Sequence, residues 1–327
     1  MSKPTVFVTR RLPEPALSTL QEHCQAEVWP HDLPPEREEI LDKVRGKDGL
    51  LCLLTDPIDG EVMDSAGLQL KVIANCAVGV DNIDLPAATQ RGIPVGNTPG
   101  ILTETTADFT FALLMAAARR VVEGDRFVRD GNWQTWGLTL LMGQDIHSAT
   151  LGIIGFGRIG QAVARRAAGF DMRVLYYNPG HKPSPETPFA EKVDLPTLLG
   201  ESDFVSLHTP LTADTHHLIG TAELQQMKPT AILINTARGP IVDPKALYHA
   251  LSGGEIAAAA LDVTEPEPIC PDDPLLTLDN LIIAPHIASA SRATRGKMAD
   301  MAVENLLAGL NGETLPNCVN PKVYGEL

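Results

Sequence analysis

Three side chains that could bind and protonate a small anion follow apolar stretches in the second half of this 327-residue sequence. Arg238 ends the stretch INTAR, Glu267 ends ALDVTEPE, and His286 ends IIAPH. The planar fork of arginine can grip a carboxylate and polarise a carbonyl. Histidine transfers protons near neutral pH, and a neighbouring carboxylate can fix the orientation of its ring. Each residue alone also fits a purely structural role, but together they predict a site that binds a small carboxylate and moves a proton.

A glycine turn in residues 151–166, LGIIGFGRIGQAVARR, is typical of a strand, a turn and a helix that bind a dinucleotide pyrophosphate. Gly155 permits the tight turn, Gly157 lets the backbone approach the pyrophosphate, and Gly160 lets the helix pack on the strand. The helix N-terminus then presents N–H groups to the phosphate charge. Glycine turns also occur for packing alone, so this assignment depends on the surrounding elements. The residues expected to contact the cofactor here are Gly155, Gly157, Arg158, Ile159 and Gly160.

Six apolar runs follow one another from residue 151 onwards, with helical segments between them, in the count and order of a dinucleotide-binding fold. In an open parallel sheet the ligand crevice lies at the carboxyl ends of the strands. The polar residues that end the later runs are therefore expected at that edge. The expected strands are LGIIG, MRVLYYN, DFVSLHTP, AILINTA, AAAALDV and NLIIAPH.

The first hundred residues alternate five β-branched runs with helical stretches, which predicts a smaller α/β domain. The sixth strand of the later series is followed by a helical tail, ASRATRGKMADMAVENLLAGLNGE, and we expect this tail to return to the first domain. The alternative is that it caps the nucleotide-binding domain. The predicted fold class is therefore α/β, with two Rossmann-like domains built on doubly wound parallel sheets. The expected domains are residues 1–99 with 287–327, flavodoxin-like and substrate-binding, and residues 100–286, which bind the dinucleotide.

The segment between the two series predicts a buried helix followed by a connecting arm. TETTADFTFALLMAAARRVVEGDRFVRDG has Thr103 as a candidate N-cap and is apolar nearly all round, so it should be buried in its own chain or against a partner. Trp133 and Trp136 follow in GNWQTWGLTLLMG. Because aromatic residues are enriched in interfaces, these two indicate a subunit contact; packing into the core of their own chain is the alternative.

The identity of the dinucleotide depends on the residue that ends the second strand of the later series. A carboxylate at this place binds the ribose hydroxyls and repels a 2′-phosphate. Asn178 stands there instead, and His181 and Lys182 follow closely enough to attract a phosphate. The alternative is that these two are solvated loop residues. We therefore favour NADP(H) and keep NAD(H) open.

Composition excludes several classes of function. A formal charge of −15 disfavours binding to nucleic acid or to anionic lipid. No apolar run is long enough to span a bilayer, and the N-terminus lacks the apolar segment of a signal peptide. We expect a soluble, cytoplasmic protein without a metal site, in which the five cysteines are buried, reduced thiols.

The sequence resembles the D-isomer-specific 2-hydroxyacid dehydrogenase family over nearly its whole length, and within it is most similar to glyoxylate and hydroxypyruvate reductases. The resemblance implies that Arg238, Glu267 and His286 are the catalytic residues of the family. The matching stretches, in order, are ANCAVGVDNID, LGIIGFGRIGQAVARR, HTPLTADTHHLI, INTARGPIVD, ALDVTEPEP and APHIASAS.

The same resemblance implies a mechanism. The carboxylate of a 2-oxoacid would bind the backbone amides of Val78 and Gly79 together with Arg238, in a gap between the domains that closes over it. Hydride would pass from the nicotinamide to the carbonyl carbon while His286, held by Glu267, protonates the oxygen. The remaining implied cofactor contacts are Thr209, Pro210, Ala237, Asp262 and His286.

The resemblance also implies a homodimer, in which Trp136 of the neighbouring subunit reaches the active site. Two other functions stay open. One is phosphite oxidation, by an enzyme of similar length with the same arginine, glutamate and histidine. The other is a dinucleotide-sensing corepressor that binds peptide motifs and keeps the catalytic residues.

Overall fold

The computed structural model describes residues 3–179 and 187–325. The chain forms two compact units, one of Met1–Leu102 with Ala290–Leu327 and one of Thr103–Ser289. Each unit is built on its own parallel sheet, so the predicted α/β class is confirmed. Among the described residues, no helix combines the length and the apolar character needed to cross a bilayer.

The sheet of the first unit has five parallel strands in the order β2-β1-β3-β4-β5. This is the strand order of the flavodoxin-like fold. The central strands are fully buried, as apolar runs covered on both faces should be. The strands are β1 (Thr5–Val8), β2 (Gln25–Val28), β3 (Gly49–Cys52), β4 (Val72–Asn75) and β5 (Val95–Gly96).

Helices cover both faces of this sheet, and one of them comes from the end of the chain. That helix, α11, packs Ala302 and Leu306 against Val6 and Leu51 in one apolar cluster. Its Gly309 lies so close to Val72 that a Cβ there would come within 2.5 Å of the valine side chain. The helices of the unit are α1 (Ala16–His23), α2 (Arg37–Lys43), α3 (Gly60–Ala66), α4 (Leu85–Gln90) and α11 (Arg292–Leu310).

The sheet of the second unit has seven parallel strands in the order β12-β11-β10-β9-β6-β7-β8. Its first six strands in chain order give the arrangement 3-2-1-4-5-6 of a dinucleotide-binding fold, to which β12 adds a seventh. The six expected strands are present. The strands are β6 (Thr150–Ile154), β7 (Arg173–Tyr177), β8 (Ala190–Lys192), β9 (Phe204–Leu207), β10 (Ile232–Asn235), β11 (Ala258–Leu261) and β12 (Leu281–Ile283).

Strand β8 was missed by the sequence pattern. It is three residues long, Ala190–Lys192, and two of the three are exposed. Such an edge strand has no apolar run to indicate it, and it pairs in parallel with β7 alone.

The described part of the second unit has six helices, and the single long helix expected before the sheet is two. Helix α5 begins at Thr103, which is its first helical residue rather than its cap, and eight of its residues are buried. The break falls at Arg120, whose φ of +52° is left-handed. Helix α6 buries no residue. The helices are α5 (Thr103–Ala118), α6 (Val121–Arg129), α7 (Arg158–Ala168), α8 (Leu195–Glu201), α9 (Thr221–Leu224) and α10 (Pro244–Gly253).

All five cysteines are reduced thiols, but their burial is uneven. Cys24 and Cys52 are buried, Cys76 and Cys318 are half-buried, and Cys270 is exposed. The expectation of uniformly buried thiols was therefore wrong for Cys270, which lies in the irregular segment after β11 rather than in an apolar run.

Candidate active site

Three adjacent strands of the second sheet deliver the predicted catalytic side chains to one edge. Arg238 follows β10, Glu267 follows β11, and His286 follows β12. These strands are neighbours and parallel, so their carboxyl ends meet at the same edge. This edge is where open α/β sheets bind ligands.

His286 and Glu267 are in direct contact. Nδ1 of His286 lies 2.6 Å from Oε1 of Glu267, which is the length of a charge-assisted hydrogen bond. Both side chains are partly exposed, so a ligand can approach the pair. The contact orients the ring through Nδ1, and proton transfer to a substrate would use Nε2. The arrangement suits a general acid whose orientation is fixed by a carboxylate.

The backbone of His286 is held in an unusual conformation by Asp262. The φ of His286 is +53°, in the left-handed region that non-glycine residues rarely adopt. Asp262 Oδ1 accepts the N–H of Ile287 and Oδ2 accepts the N–H of Ala288, both at 2.7 Å. The N–H of His286 donates to the backbone carbonyl of Asp262 at 2.8 Å. The buried carboxylate therefore fixes the turn that presents the imidazole.

Burial raises the pKa of the Asp262 carboxyl, and the two amide hydrogen bonds counteract part of that rise. Both of its oxygens already accept hydrogen bonds within the turn. A carboxylate oxygen has more than one acceptor site, so these bonds leave capacity for the expected contact with a nicotinamide carboxamide. Sequence reasoning pointed to that cofactor role and missed the contact with the histidine turn.

Arg238 follows Thr236 and Ala237 after the end of β10 and has an extended backbone. Its Nη1 donates to the Ala237 carbonyl at 2.7 Å, and its own carbonyl accepts from Asn235 Nδ2 at 2.8 Å. Gly239 follows it, and a Cβ at that glycine would collide with the backbone carbonyl of Thr264. Only glycine allows this approach, which joins the turn of Arg238 to the segment that carries Glu267.

The glycine turn has the geometry that phosphate binding requires. Gly155 has a φ of +93°, and a Cβ on it would come within 2.5 Å of the backbone carbon of His208. A Cβ on Gly160 would collide with the Gly155 carbonyl, whereas one on Gly157 would meet nothing within 4 Å. Gly157 therefore leaves open space at the first turn of α7, which begins at Arg158 with Ile159 after it. A pyrophosphate can approach the helix N-terminus there.

An unsatisfied polar atom beside this turn also fits a bound dinucleotide. Thr209 Oγ1 is buried and has no hydrogen-bond partner among the residues that the structure describes. The backbone N of Thr209 lies against Gly155, and Pro210 follows in an exposed position. Buried hydroxyls are rarely left unpaired, so a ligand at the glycine turn would supply the missing partner.

His208 also lies at this edge of the sheet, directly after β9, and the sequence pattern did not indicate a role for it. Its Nε2 lies 2.8 Å from Ser206 Oγ. Burial lowers the pKa of His208 to about 3. The ring is therefore neutral at working pH and can serve as a hydrogen-bonding group but not as a cation for phosphate.

Asn178 follows β7 directly and is half-buried. This is the position expected to discriminate between NAD(H) and NADP(H). No carboxylate stands in this position. His181 and Lys182, the cationic residues expected to attract a 2′-phosphate, lie outside the described residues.

In the first unit, hydrogen bonds hold the backbone carbonyls of the loop after β4. Ala77 O accepts the N–H of Thr98 at 2.8 Å, and Val78 O accepts from Asn97 Nδ2 at 2.8 Å. Gly79 O accepts from Asn75 Nδ2 at 2.9 Å. In a planar trans peptide the N–H points opposite to the carbonyl.

The N–H groups of Val78 and Gly79 belong to the peptides of the Ala77 and Val78 carbonyls, so each points away from the group that holds that carbonyl. Successive backbone N–H groups can bind an anion where they converge, so these two stay the candidates for the substrate carboxylate. The sequence pointed to the loop only through its resemblance to a family. The asparagines that orient it, Asn75 and Asn97, could not be found that way, because they act through contacts that only the folded chain shows.

The two tryptophans of the connecting arm do not pack into the core of this chain. Trp133 is 61% exposed and Trp136 is 76% exposed. Leu138 and Met142, on the same arm, are also largely exposed. Large exposed apolar patches are typical of interaction surfaces.

Comparison with known proteins gives a family and an activity for similar chains. Residues 111–288 match the family model described as "D-isomer specific 2-hydroxyacid dehydrogenase, NAD binding domain". A glyoxylate reductase of Korarchaeum cryptofilum is 57% identical over 323 residues, which cover 98% of this chain and 97% of that protein. A glyoxylate reductase of Thermofilum pendens is 51% identical over 327 residues, with coverage of 99% and 96%.

Solved structures give the same result. The crystal structure of an NADPH-dependent glyoxylate/hydroxypyruvate reductase from Sinorhizobium meliloti, in complex with NADP and malonate, is 32% identical with a TM-score of 0.86 and covers 97% of each chain. A glyoxylate reductase structure from Paecilomyes thermophila is 32% identical with a TM-score of 0.87 and covers 98% of this chain and all of that one.

Proposed function

This chain belongs to the D-isomer-specific 2-hydroxyacid dehydrogenase family, and from that premise we propose that it reduces glyoxylate or hydroxypyruvate to the corresponding D-2-hydroxyacid. It is an NAD(P)-dependent oxidoreductase acting on small 2-oxoacids. The observation that carries the proposal is the contact of His286 with Glu267 at the carboxyl edge of a dinucleotide-binding sheet.

In the proposed reaction the bound nicotinamide supplies a hydride, and one proton completes the alcohol. His286 donates that proton to the carbonyl oxygen, and Glu267 keeps the ring oriented and balances the positive charge of the imidazolium. Arg238 binds the substrate carboxylate and stabilises negative charge that develops on the oxygen. Reduction therefore requires the protonated ring, and the reverse oxidation requires the neutral one.

We assign the substrate carboxylate to the amides of Val78 and Gly79 as well. The support is the orientation of this loop, whose carbonyls are held by Thr98, Asn97 and Asn75. Backbone amides suit a substrate as small as glyoxylate, because they bind the carboxylate and need no further group on the substrate.

For the cofactor, we propose contacts along the carboxyl edge of the second sheet. The open space at Gly157 and the unpaired hydroxyl of Thr209 support this assignment. Asp262 is proposed to reach the nicotinamide carboxamide. The full set is Gly155, Gly157, Arg158, Ile159, Gly160, Asn178, Thr209, Pro210, Ala237, Asp262 and His286.

We propose a preference for NADP(H) over NAD(H). The support is Asn178, since an amide at the end of β7 can bond a ribose hydroxyl without repelling a 2′-phosphate. The NADP in the Sinorhizobium meliloti structure is in keeping with this choice.

We also propose a homodimer that uses the arm of Trp133 and Trp136, with Trp136 contributing to the active site of the neighbouring subunit. The exposure of both indoles and of Leu138 supports this proposal. A second copy of the chain would cover an apolar surface that this chain leaves in solvent.

The proposed function is tested by nicotinamide absorbance with a panel of substrates. Glyoxylate, hydroxypyruvate, pyruvate and phosphite are each assayed with both cofactors. We expect oxidation of NADPH with glyoxylate or hydroxypyruvate, and a shift of preference towards NADH in the variant Asn178→Asp. Reduction of NAD by phosphite, without activity on any 2-oxoacid, would overturn the substrate class. An unchanged cofactor ratio in the variant would overturn the role of Asn178 alone.

A further inference from the structure

A cluster of two imidazoles and a carboxylate lies outside the proposed catalytic residues, and we propose that it binds a divalent transition-metal ion. His216 and His217 lie between β9 and α9, and Glu265 lies between β11 and β12. All three belong to the second unit. The proposal does not depend on the dehydrogenase reaction, and it replaces the sequence-based expectation that the protein has no metal site.

The three donor atoms are already close to coordination distance from a common point. His217 Nε2 lies 2.7 Å from Glu265 Oε2, and His216 Nε2 lies 3.8 Å from Glu265 Oε1. All the donor atoms lie within 4.8 Å of one another. Ligands about 2.0–2.2 Å from a tetrahedral ion are separated by roughly 3.4 Å. The separations of the three atoms would each have to change by about 1.4 Å or less to reach that spacing.

The backbone holds these side chains in place before any ion binds. His217 has a φ of +51°, and its N–H donates to the Pro240 carbonyl at 2.7 Å. The N–H of His216 donates to the Thr212 carbonyl at 3.0 Å. The two rings are tilted by 30° with their centroids 4.0 Å apart, and both Nε2 atoms lie near the carboxylate of Glu265. A prearranged site lowers the cost of ordering its ligands on binding.

The donor set indicates which ions would bind. Two imidazole nitrogens and one carboxylate oxygen suit Zn²⁺, Ni²⁺ and Cu²⁺, whereas Mg²⁺ and Ca²⁺ require mostly oxygen ligands. The side chain of His216 is 51% exposed and that of Glu265 is 32% exposed, so solvent reaches the site. Water can therefore complete the coordination with one or more ligands.

The same contacts could instead serve only as a bridge between two loops, and a binding experiment separates these possibilities. Zn²⁺ is titrated into the full chain by isothermal calorimetry, with the variants His216→Gln, His217→Gln and Glu265→Gln. The control is His249→Gln, which alters an exposed histidine on α10 that is outside the cluster. Circular dichroism checks that each variant is folded.

We expect one high-affinity Zn²⁺ per chain, unchanged in the control. Loss of an outer hydrogen-bond partner already weakens metal sites by about 10- to 100-fold. Replacement of a direct ligand should therefore weaken binding at least tenfold in each of the three variants. Electron paramagnetic resonance of bound Cu²⁺ should report two nitrogen ligands in the wild type and one in either histidine variant.

Two results would overturn the proposal. One is the absence of saturable Zn²⁺ binding up to millimolar concentration. The other is Zn²⁺ binding that is unchanged in all three variants. If His286→Gln abolished that binding, the ion would lie at the proposed catalytic pair. Neither result would contradict the proposed reduction of 2-oxoacids, because that activity is measured without added metal.

Discussion

At the scale of single residues, Asp262 holds the turn that presents the proposed proton donor. Its carboxylate accepts the N–H groups of Ile287 and Ala288 and so maintains the left-handed turn at His286. It does so although burial disfavours its ionised form. We interpret Asp262 as a positioning residue for the imidazole as well as a proposed cofactor contact.

The variant Asp262→Asn tests this interpretation. The amide keeps one acceptor oxygen, but its NH₂ would face a backbone N–H, so the turn at His286 should lose one bond and its fixed geometry. Misplacement of a reacting group by about 1 Å can reduce turnover by roughly 100-fold, and we expect a fall in kcat of that order for glyoxylate reduction. Steady-state kinetics measure it, with Asp272→Asn as a control at an exposed residue. Wild-type kcat in Asp262→Asn would contradict the positioning role.

The three candidate catalytic residues could be predicted from the sequence because each ends an apolar run, and strand ends in a parallel sheet meet at one edge. His208, Asn75 and Asn97 could not be predicted. Their roles depend on burial or on contacts with backbone carbonyls elsewhere in the fold. No local pattern of residue types contains that information.

At the scale of elements, the conformation of the loop after β4 is fixed by residues that lie elsewhere in the chain. The Nδ2 atom of Asn97 holds the Val78 carbonyl, while its backbone carbonyl accepts from Asn305 on α11 at 2.9 Å. The helix at the end of the chain therefore supports the loop through this asparagine. The proposed carboxylate site depends on that support.

We expect Asn97→Ala to raise the KM for glyoxylate and to leave kcat nearly unchanged, because the variant loosens the proposed carboxylate site without altering the proton donor. One net hydrogen bond is worth about 0.5–1.5 kcal/mol, which corresponds to a rise of roughly 2- to 10-fold. Asn311→Ala, at an exposed residue after α11, is the matched control. An unchanged KM, or a loss confined to kcat, would contradict the assignment of the carboxylate to this loop.

Elements with strong apolar periodicity were predicted well, and elements without it were not. All five strands of the first sheet and six of the second coincide with the short runs predicted as strands from the sequence. Strand β8 and helix α4 lack such runs, since one is mostly exposed and the other buries only Ala88. The break between α5 and α6 arises at Arg120 without a glycine or a proline to indicate it.

At the scale of the whole molecule, the exposed arm predicts that the chain is a dimer in solution. Light scattering should give a mass of about 70 kDa, twice the 35.1 kDa of one chain. The double variant Leu138→Glu and Met142→Glu should be a monomer. Both side chains are exposed in the single chain and would be buried in the proposed interface, where two charges are unfavourable. Lys322→Glu, far along the chain, is the control. A wild-type monomer would contradict the dimer.

The central claim is that the protein reduces a 2-oxoacid by proton donation from His286. The most direct measurement is the rate of NADPH oxidation with saturating glyoxylate in the wild type, in His286→Gln and in the control His249→Gln. We predict that the rate in His286→Gln is lower by about 10²–10⁴-fold, because the variant has no proton donor at this position, and that the control keeps the wild-type rate. A rate in His286→Gln within twofold of the wild type would contradict the account.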